Sequence, residues 1–456
     1  MRKKIIAVLL CGIVVFGTLV GCGSRQSEEL DAQAEDDTQN EYAGNLTMMH
    51  FSTVEEVENT GAADGLRKMI DEWKKEHPEI GLSENISTNY EYKNQLSALA
   101  NADNLPDVFM LQGMNTKEWA SAGLILDMTD IVKQSPDYQN YKMDFFTAFR
   151  DDEGKIYAIP ALTGGTCTVI IYDKQMWKDA GYDTFPDSWE EIKKADAYFE
   201  SQGIDTILFD NNGKWQANSS FMSTVGNLYT GKEWFQSILK KEGAAFTDEA
   251  FVNALVFTQD IFQSGVFNDD VNAIDNDEVR KRYMEGAGAA LVAGNWDVSY
   301  IMKGLKENNP AKYEQLGFAV LPTPEDAKGD TNCQNIGMGW GLAINAKLAD
   351  EPEKLQAAID LIYKLTGADY AKYVTENYAL SGVTTAQNVD WSKFDQITRD
   401  FYDYSYVCTN TCEIYDSYLN EEVWDIFNTG LQELLDGKTD PETLARNTQR
   451  MYEDSY

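Results

Sequence analysis

An aromatic residue and two short polar residues follow one another at Asn295, Trp296 and Asp297. They come directly after Gly294. The run of small and apolar residues at 286–293 predicts a buried strand, and a turn is expected at Gly294. An indole stacks on the C–H face of a pyranose ring, and amide and carboxylate groups pair with its hydroxyls, so the triplet indicates a carbohydrate contact. A packing role for Trp296 is the alternative, because Trp is highly buried on average.

Further side chains of this kind stand at the ends of predicted strands. Open α/β sheets bind ligands at the carboxyl ends of their strands, and Gln112 ends the Pro-started apolar run 105–112. Glycines beside an aromatic or hydroxyl residue permit close approach of a ligand, although a plain turn explains them equally well. The remaining candidates are His50 and Ser52 after the first predicted strand, Thr163 and Gly164 in a glycine loop, Trp215 in a polar loop, and Trp340 between glycines.

Strands and helices alternate along the chain, which predicts an α/β fold. Apolar residues at Leu66, Met69, Ile70 and Trp73 have helical spacing, and Ser188 with Glu191 has the spacing of a capping box. Strands are predicted at 45–51, 86–92, 105–112, 154–160, 169–173, 204–209 and 316–321, with another after the glycines of 335–345. A short helix is predicted at 94–100, and longer ones at 248–262 and 277–284.

The amino terminus predicts export. Basic residues precede an apolar run at 5–20, the layout of a secretory signal. The run ends in Leu19-Val20-Gly21-Cys22, which resembles the lipobox of bacterial lipoproteins and predicts a signal peptide at 1–21 with lipidation of Cys22. An ordinary signal peptide and a membrane-spanning anchor are the alternatives, although the run is short for a spanning helix. The polar segment 22–44 is predicted to be a flexible tether.

Composition narrows the class of ligand. A net charge of −37 disfavours binding to nucleic acid, anionic lipid or a polyanion, and fits a neutral ligand. With only two histidines, neither at metal-ligand spacing, the sequence predicts no metal site. Four cysteines of the exported part, Cys167, Cys333, Cys408 and Cys412, could form two disulfides in any of three pairings, and Cys408–Cys412 is the favoured local pair.

Seven short motifs follow one another along the chain. They are Pro-Asp-Val-Phe at 106–109, Gly-Lys-Ile-Tyr-Ala-Ile-Pro at 154–160, Tyr-Asp-Lys at 172–174, Pro-Asp-Ser-Trp-Glu-Glu at 186–191, Gly-Asn-Trp-Asp at 294–297, Gly-Phe-Ala-Val-Leu-Pro at 317–322 and Gly-Trp-Gly-Leu-Ala-Ile-Asn at 339–345. These motifs and their order resemble those of the extracellular solute-binding proteins of carbohydrate ABC importers, relatives of maltose-binding protein. Gram-positive members of that family are tethered by a lipidated cysteine, in agreement with Cys22.

The resemblance implies a two-lobe fold of the periplasmic-binding-protein type, each lobe a discontinuous α/β sandwich, with the ligand cleft at the hinge. Lobe one would comprise 45–158 and 325–369, and lobe two 159–324 and 370–456. It places Trp296 on a sugar face, Asn295 and Asp297 near hydroxyls, and Tyr378 on the tail side of the pocket. There residues 381–383 read Ser-Gly-Val where many relatives carry a proline.

The function implied is that of a monomeric, lipid-anchored receptor on the extracellular face, without a cofactor, that passes a neutral sugar to an ABC permease. An exported glycosidase is the alternative of another class, since its two carboxylates could come from any of 75 acidic residues, but no local motif offers a nucleophile or general acid. A receptor presenting sugar to a membrane sensor is the other alternative.

Overall fold

The computed structural model describes residues 42–162, 165–166, 168–330, 333–405 and 410–455. The strands in these ranges are β1 Asn45–His50, β2 Gly81–Ile86, β3 Val108–Gln112, β4 Ile159–Pro160, β5 Gly165–Thr166, β6 Val169–Asp173, β7 Asp205–Leu208, β8 Gly288–Ala293, β9 Leu316–Ala319, β10 Cys333–Gly337, β11 Trp340–Ile344 and β12 Asn410–Cys412.

The helices surround these strands. The α-helices are α1 Val54–Asn59, α2 Gly61–Glu76, α3 Asn89–Asn101, α4 Thr116–Ser121, α5 Thr129–Gln134, α6 Lys174–Asp179, α7 Trp189–Gln202, α8 Ser223–Thr230, α9 Lys232–Lys240, α10 Glu249–Phe262, α11 Asn276–Glu285, α12 Asn295–Asn308, α13 Pro310–Tyr313, α14 Pro352–Thr366, α15 Ala368–Glu376, α16 Gln396–Tyr404, α17 Glu421–Leu435 and α18 Pro441–Ser455. A π-helix, Ala217–Met222, leads into α8. Each helix in the described ranges is too short or too polar to cross a lipid bilayer.

Two separate α/β sheets define two lobes. The first sheet has the order β2-β1-β3-β11-β4, with β1 parallel to β2 and β3, and β11 antiparallel to β3 and β4. The second sheet has the order β7-β8-β6-β9, with β8 parallel to β7 and β6 antiparallel to both β8 and β9. β8 is buried along its whole length, as its run of small and apolar residues predicts.

A small third sheet, β12-β10-β5, lies where the chain passes between the lobes. Side-chain hydrogen bonds connect this sheet to neighbouring segments. The Thr168 hydroxyl donates to Asn335 Oδ1 at 3.0 Å, and Asn335 Nδ2 donates to the carbonyl of Ser219 in the π-helix. The buried side-chain amide of Asn335 therefore connects β10 and the segment at Thr168 to the π-helix of the second lobe.

Helix positions follow local signals that the sequence contains. α2 buries Leu66, Met69, Ile70 and Trp73, the predicted face. α7 begins after Ser188, whose hydroxyl accepts a hydrogen bond from the backbone N–H of Glu191 at 3.3 Å, as the capping-box spacing predicts.

Packing places the lobe boundaries differently from the predicted ranges. Ile159, Ala161, Tyr370, Val374 and Val383 belong to the apolar core of the first lobe, although the sequence assigns all five to the second. The short β4 pairs with β11 of the first sheet, and α15 packs on α2. The chain therefore passes from the first lobe to the second a few residues after 158, and again well after 369.

Candidate functional site

Aromatic side chains gather where the parallel strands β1 and β3 end. Trp340 opens β11 and pairs with Gln112, the last residue of β3. Its ring centroid lies 4.7 Å from that of Phe51 and 5.8 Å from that of Tyr92. The Tyr92 hydroxyl donates to the carbonyl of Met110 at 2.7 Å, which holds its ring in place. Trp340 and Gln112 are only partly buried, so a ligand can reach both of them.

The ammonium group of Lys93 lies near two indole rings that belong to different lobes. Its Nζ is 5.7 Å from the ring centroid of Trp340 and 5.9 Å from that of Trp424 on α17, distances at which a cation is attracted to an aromatic face. Among the described residues, Lys93 Nζ has neither a hydrogen-bond acceptor nor an ion-pair partner. The buried Trp424 Nε1 likewise lacks an acceptor there. Sequence reasoning missed both residues, because neither stands in a recognisable motif.

A short turn in the carboxyl-terminal part of the chain, Tyr415–Ser417, packs against Gly113, which follows β3. A Cβ atom at Gly113 would lie 3.0 Å from the carbonyl oxygen of Ser417, so this close approach depends on glycine. The same turn carries Asp416, whose carboxylate accepts a hydrogen bond from Ser219 in the π-helix. Burial raises the pKa of Asp416, while the hydrogen bond from Ser219 and the charge of Lys93 oppose that shift. π-helical turns occur frequently at functional sites.

A second aromatic group consists of Trp215 and Trp296, both in the second lobe. Their ring centroids are 5.5 Å apart and the rings are tilted by 54°. The Trp296 indole folds back over Gly294 so closely that a Cβ atom there would overlap the ring. Its Nε1 is buried without an acceptor among the described residues. Part of the Trp296 surface remains exposed.

The two polar neighbours of Trp296 point into the protein. The chain does not form a loop after Gly294, because α12 begins at once with Asn295. Asp297 is 1% exposed, and its carboxylate accepts from the Gly294 N–H and from Arg280 Nη1, each at 3.4 Å. Burial raises the pKa of Asp297 to about 6, against the charge of Arg280. Asn295 is 3% exposed. The structure therefore gives Asp297 a capping and charge-pairing role.

We expect replacement of Asp297 by asparagine to flatten the fall in stability between pH 4 and pH 7. The buried carboxyl has a pKa of about 6 in the folded state, whereas an unfolded chain releases this proton near pH ~4. The folded state therefore binds the extra proton between these values, and its contribution to stability falls by about 2–3 kcal/mol as the pH rises through them. The asparagine variant carries no such proton.

Thermal unfolding at pH 4.5 and pH 7 measures this difference. The exposed Asp183→Asn is the matched control, because it removes a carboxyl of the same type at the surface. Equal pH dependence in Asp297→Asn and the parent chain would contradict a raised pKa at Asp297.

His50 is held by an ionic cluster. Its Nε2 lies 3.2 Å from Glu84 Oε2, and its Nδ1 accepts from the backbone N–H of Ser52 at 3.2 Å. Glu84 also binds Arg67 at 2.7 Å and Lys74 at 2.6 Å. His50 is 1% exposed and Ser52 5% exposed. Both polar groups of the His50 ring are therefore committed to partners within the first lobe.

Tyr378 lies in a charged cavity formed with α12 and the residues around α16. Its hydroxyl accepts from Lys306 Nζ at 3.0 Å, and Lys306 also binds Asp395 at 2.7 Å. The cavity has a volume of about 190 Å³ and is lined by Lys306, Glu376, Tyr378, Asp390, Lys393, Phe394, Asp395 and Thr398. Tyr378 thus binds Lys306 in this cavity and packs against the apolar core beside it.

Several predicted positions lie outside the described residues. They are Thr163, Gly164, Cys22, Cys167 and Cys408. Cys412 is in β12, beside β10, and packs with Cys333 and Leu228 in a small buried cluster. Both of these thiols are free.

Comparison with known proteins identifies the family. Residues 59–399 match the model for bacterial extracellular solute-binding proteins. The chain belongs to this family. The resemblance predicted from the seven motifs is thereby confirmed.

Solved structures have the same fold as this solute-binding protein. A chitin oligosaccharide binding protein has a TM-score of 0.78 at 21% identity, covering 90% of this chain and 98% of its own. A structure from work on xylan utilization by the thermophilic bacterium Caldanaerobius polysaccharolyticus has a TM-score of 0.76 at 21% identity, covering 89% and 99%. Maltose-bound MalE3 of T. maritima has a TM-score of 0.71 at 18% identity, covering 91% and 100%. These likenesses confirm the two-lobe fold.

A protein of Brucella abortus (strain 2308), named as a binding protein, is 18% identical over 304 residues. The match covers 65% of this chain and 66% of that protein, so the chain spans just under two thirds of its length.

The lobes of this solute-binding protein also touch through α12. The Ser299 hydroxyl accepts from the backbone N–H of Gly61 at 3.3 Å, at the start of α2. Lys303 Nζ donates to the carbonyl of Glu58 at 3.0 Å. These contacts join α12, whose second residue is Trp296, to the first lobe.

Proposed function

We propose that this solute-binding protein captures a neutral sugar or oligosaccharide in the cleft between its lobes and delivers it to an ABC importer. Trp340, Gln112, Trp215 and Trp296 are the proposed ligand contacts that the sequence predicts and that keep exposed surface or a free indole N–H. Lys93 and Trp424 are added from the geometry. Thr163 and Gly164 stay predictions.

The observation that carries the proposal is the combination of apolar faces and unused donors at the cleft. Trp340 and Trp424 flank Lys93 from opposite lobes. Among the described residues, the indole N–H groups of Trp296 and Trp424 have no acceptor although they are buried. A buried donor without an acceptor is costly, and a sugar supplies both an apolar face for stacking and oxygen atoms that accept such hydrogen bonds.

Delivery to an importer and lipid anchoring rest on the family and on the amino-terminal sequence. Members of the family are extracellular solute-binding proteins, and the motif around Cys22 has the features of a lipidation signal. We propose that the diacylglyceryl group on Cys22 holds the receptor at the extracellular face. Residues 23–44 then serve as the tether between the lipid and the lobes.

A thermal-shift screen of the chain against malto-, cello-, xylo- and chito-oligosaccharides tests the proposed ligand class. A sugar present at 100 times its Kd stabilises the fold by about 2.7 kcal/mol, which raises the unfolding temperature by several degrees. Mass spectrometry of the sugar after incubation distinguishes a receptor from a glycosidase, because a receptor leaves it intact. A shift with peptides or amino acids, and none with sugars, would overturn the proposed ligand.

A further inference from the structure

Two helices that belong to different lobes are in contact. α2 buries Leu66 and Met69 in the apolar core of the first lobe. α12 buries Ile301 and Met302 in the apolar core around the second sheet. Hydrogen bonds between α12 and the start of α2 therefore depend on how the two lobes are placed, and they break when the lobes move apart.

The contacts on the first lobe are made at the corner where α1 ends and α2 begins. The first N–H groups and the last carbonyl groups of a helix lack partners within that helix. Ser299 Oγ accepts from the N–H of Gly61, the first residue of α2, at 3.3 Å. Lys303 Nζ donates to the carbonyl of Glu58, in the last turn of α1, at 3.0 Å. The second lobe thus supplies partners for backbone groups at both helix ends of this corner.

The α1–α2 corner is itself fixed within the first lobe. The Thr60 hydroxyl accepts from the N–H of Ala63 at 3.3 Å and donates to the carbonyl of Glu56 at 2.9 Å. A Cβ atom at Gly61 would lie 2.4 Å from the carbonyl oxygen of Asn377, so the backbone here packs at a distance that only glycine permits. The corner therefore cannot follow α12 unless the first lobe moves with it.

Trp296 lies on the same face of α12 as these two contacts. Positions 296, 299 and 303 have the spacing i, i+3 and i+7, which places their side chains along one side of a helix. Ser299 is 1% exposed and Lys303 is partly buried. The face that begins with a proposed sugar contact therefore continues into the contact with the first lobe, so these hydrogen bonds join the lobes on the side where the sugar is proposed to bind.

We propose that Ser299 and Lys303 are positioning residues, which hold the two walls of the cleft together around a bound sugar without touching it. This inference rests on the proposed function and adds to it two residues that set the affinity for every sugar alike. When only the closed form binds tightly, the apparent affinity is proportional to the fraction of molecules in that form. Contacts that stabilise closure therefore act equally on all sugars, whereas a direct contact acts differently from one sugar to the next.

Calorimetric titration of the full chain with malto-, cello-, xylo- and chito-oligosaccharides of two to four rings tests the proposal. The double variant Ser299→Ala/Lys303→Met lacks the hydroxyl acceptor and the charged donor. It should raise the Kd of every sugar that the parent chain binds by the same factor, about three- to thirtyfold. Lys303→Arg keeps a cationic donor and should bind more tightly than Lys303→Met.

Asn308→Ala is the matched control. It removes an exposed polar side chain from α12 whose hydrogen bond, to the carbonyl of Gly304 at 3.0 Å, stays within that helix. Its sugar affinity should equal that of the parent chain. Circular dichroism of each variant establishes that it is folded.

Small-angle X-ray scattering supplies a second readout, which a purely structural role of these residues would not change. In the absence of sugar, the double variant should have a larger radius of gyration than the parent chain, because loss of the two hydrogen bonds favours separated lobes. A saturating concentration of sugar should bring the two radii together.

The outcomes separate this inference from the function on which it rests. Unchanged or tighter sugar binding by the double variant would overturn the positioning role. Losses that differ from sugar to sugar would also overturn it, because they indicate direct contact with the ligand, and so would a uniform loss with equal radii of gyration. A parent chain that binds none of these sugars would overturn the proposed function, while the scattering of the sugar-free chains still decides whether Ser299 and Lys303 hold the lobes together.

Discussion

Replacement of Trp296 by alanine is expected to weaken sugar binding about ten- to hundredfold and to leave the fold intact. The variant loses a partly exposed ring that packs at 5.5 Å on Trp215, and an indole N–H that has no acceptor among the described residues. Loss of stacking and apolar contact of this kind costs roughly 1–3 kcal/mol of binding free energy. Calorimetric titration with a sugar from the screen measures the affinity.

A single added methyl group at Gly294 should reproduce most of this loss. The backbone there, with φ −97° and ψ 168°, suits alanine, so the substitution adds no backbone strain. A Cβ atom would however overlap the Trp296 ring, which must move away. We therefore expect Gly294→Ala to weaken sugar binding, and the double variant Gly294→Ala/Trp296→Ala to bind no worse than Trp296→Ala alone.

Gly304→Ala, later in α12, is the matched control, because it adds the same methyl group within the same helix away from the aromatic pair. Additive losses in the double variant would show that Gly294 acts on binding independently of the ring. Unfolding of Trp296→Ala, with full affinity in the molecules that remain folded, would show that Trp296 is a packing residue.

Removal of the Glu84 carboxylate is expected to lower the free energy of unfolding by about 3 kcal/mol without changing sugar affinity. Glu84 is the shared partner of His50, Arg67 and Lys74, and its side chain is 9% exposed. Arg67 and Lys74 keep enough exposure to be hydrated after Glu84→Ala, which limits the loss. His50, at 1% exposure, is instead left with an unpaired ring nitrogen.

The pH dependence of this contribution has a defined sign. Hydrogen bonds from the three partners hold the pKa of Glu84 far below its ordinary value, against its own burial. The stabilisation is therefore present above the pKa of an unfolded glutamate, near ~4.3, and is lost progressively as the pH falls below it. This is opposite to Asp297, whose raised pKa lowers stability as the pH increases.

Denaturant unfolding at pH 7 and pH 3.5 checks both statements about Glu84. Glu79→Ala is the control, because Glu79 lies 3.6 Å from the other histidine, His77, at 40% side-chain exposure, where an ion pair contributes little. A loss of sugar affinity in Glu84→Ala with unchanged stability would contradict this assignment and indicate that His50 belongs to the ligand site.

The core elements are predictable where a single physical requirement dominates the residue pattern. The apolar run before Gly294 can only be buried, and β8 is. The sequence predicts a turn at Gly294 with ligand-facing polar residues after it, but Asp297 accepts from the Gly294 N–H and so starts a helix. An acidic residue three positions after a glycine supports that start, but its side chain looks equally suited to a ligand in the sequence.

The second predicted strand, 86–92, is wrong, and the error conceals part of the site. β2 ends at Ile86, and Thr88 accepts from the backbone N–H of Glu91 at 3.4 Å to begin α3. The spacing of Thr88 and Glu91 is that of a capping box and could have located this helix. Because a strand is predicted up to residue 92, the sequence does not indicate Lys93 as a candidate ligand contact.

Other parts of the site could not be read from local spacing. Trp340 and Trp424, which contact Lys93, lie 247 and 331 residues after it in the sequence. Such contacts depend on how the lobes pack, and the spacing of residues within a short segment of sequence contains no information about that packing. The family resemblance implies the cleft in outline, whereas the contacts of Lys93 with Trp340 and Trp424 are visible only in the structure.

The pairing of β3 with β11 imposes an order on biosynthesis. Val108 pairs with Ile344, so the centre of the first sheet unites segments that are made at very different times. Until residue 344 has emerged, β3 has β1 on one side and an open edge on the other, a surface prone to pairing with other chains. The first sheet therefore stays incomplete until residue 344 is available to it, and a chaperone that shields this edge should raise the yield of folded protein.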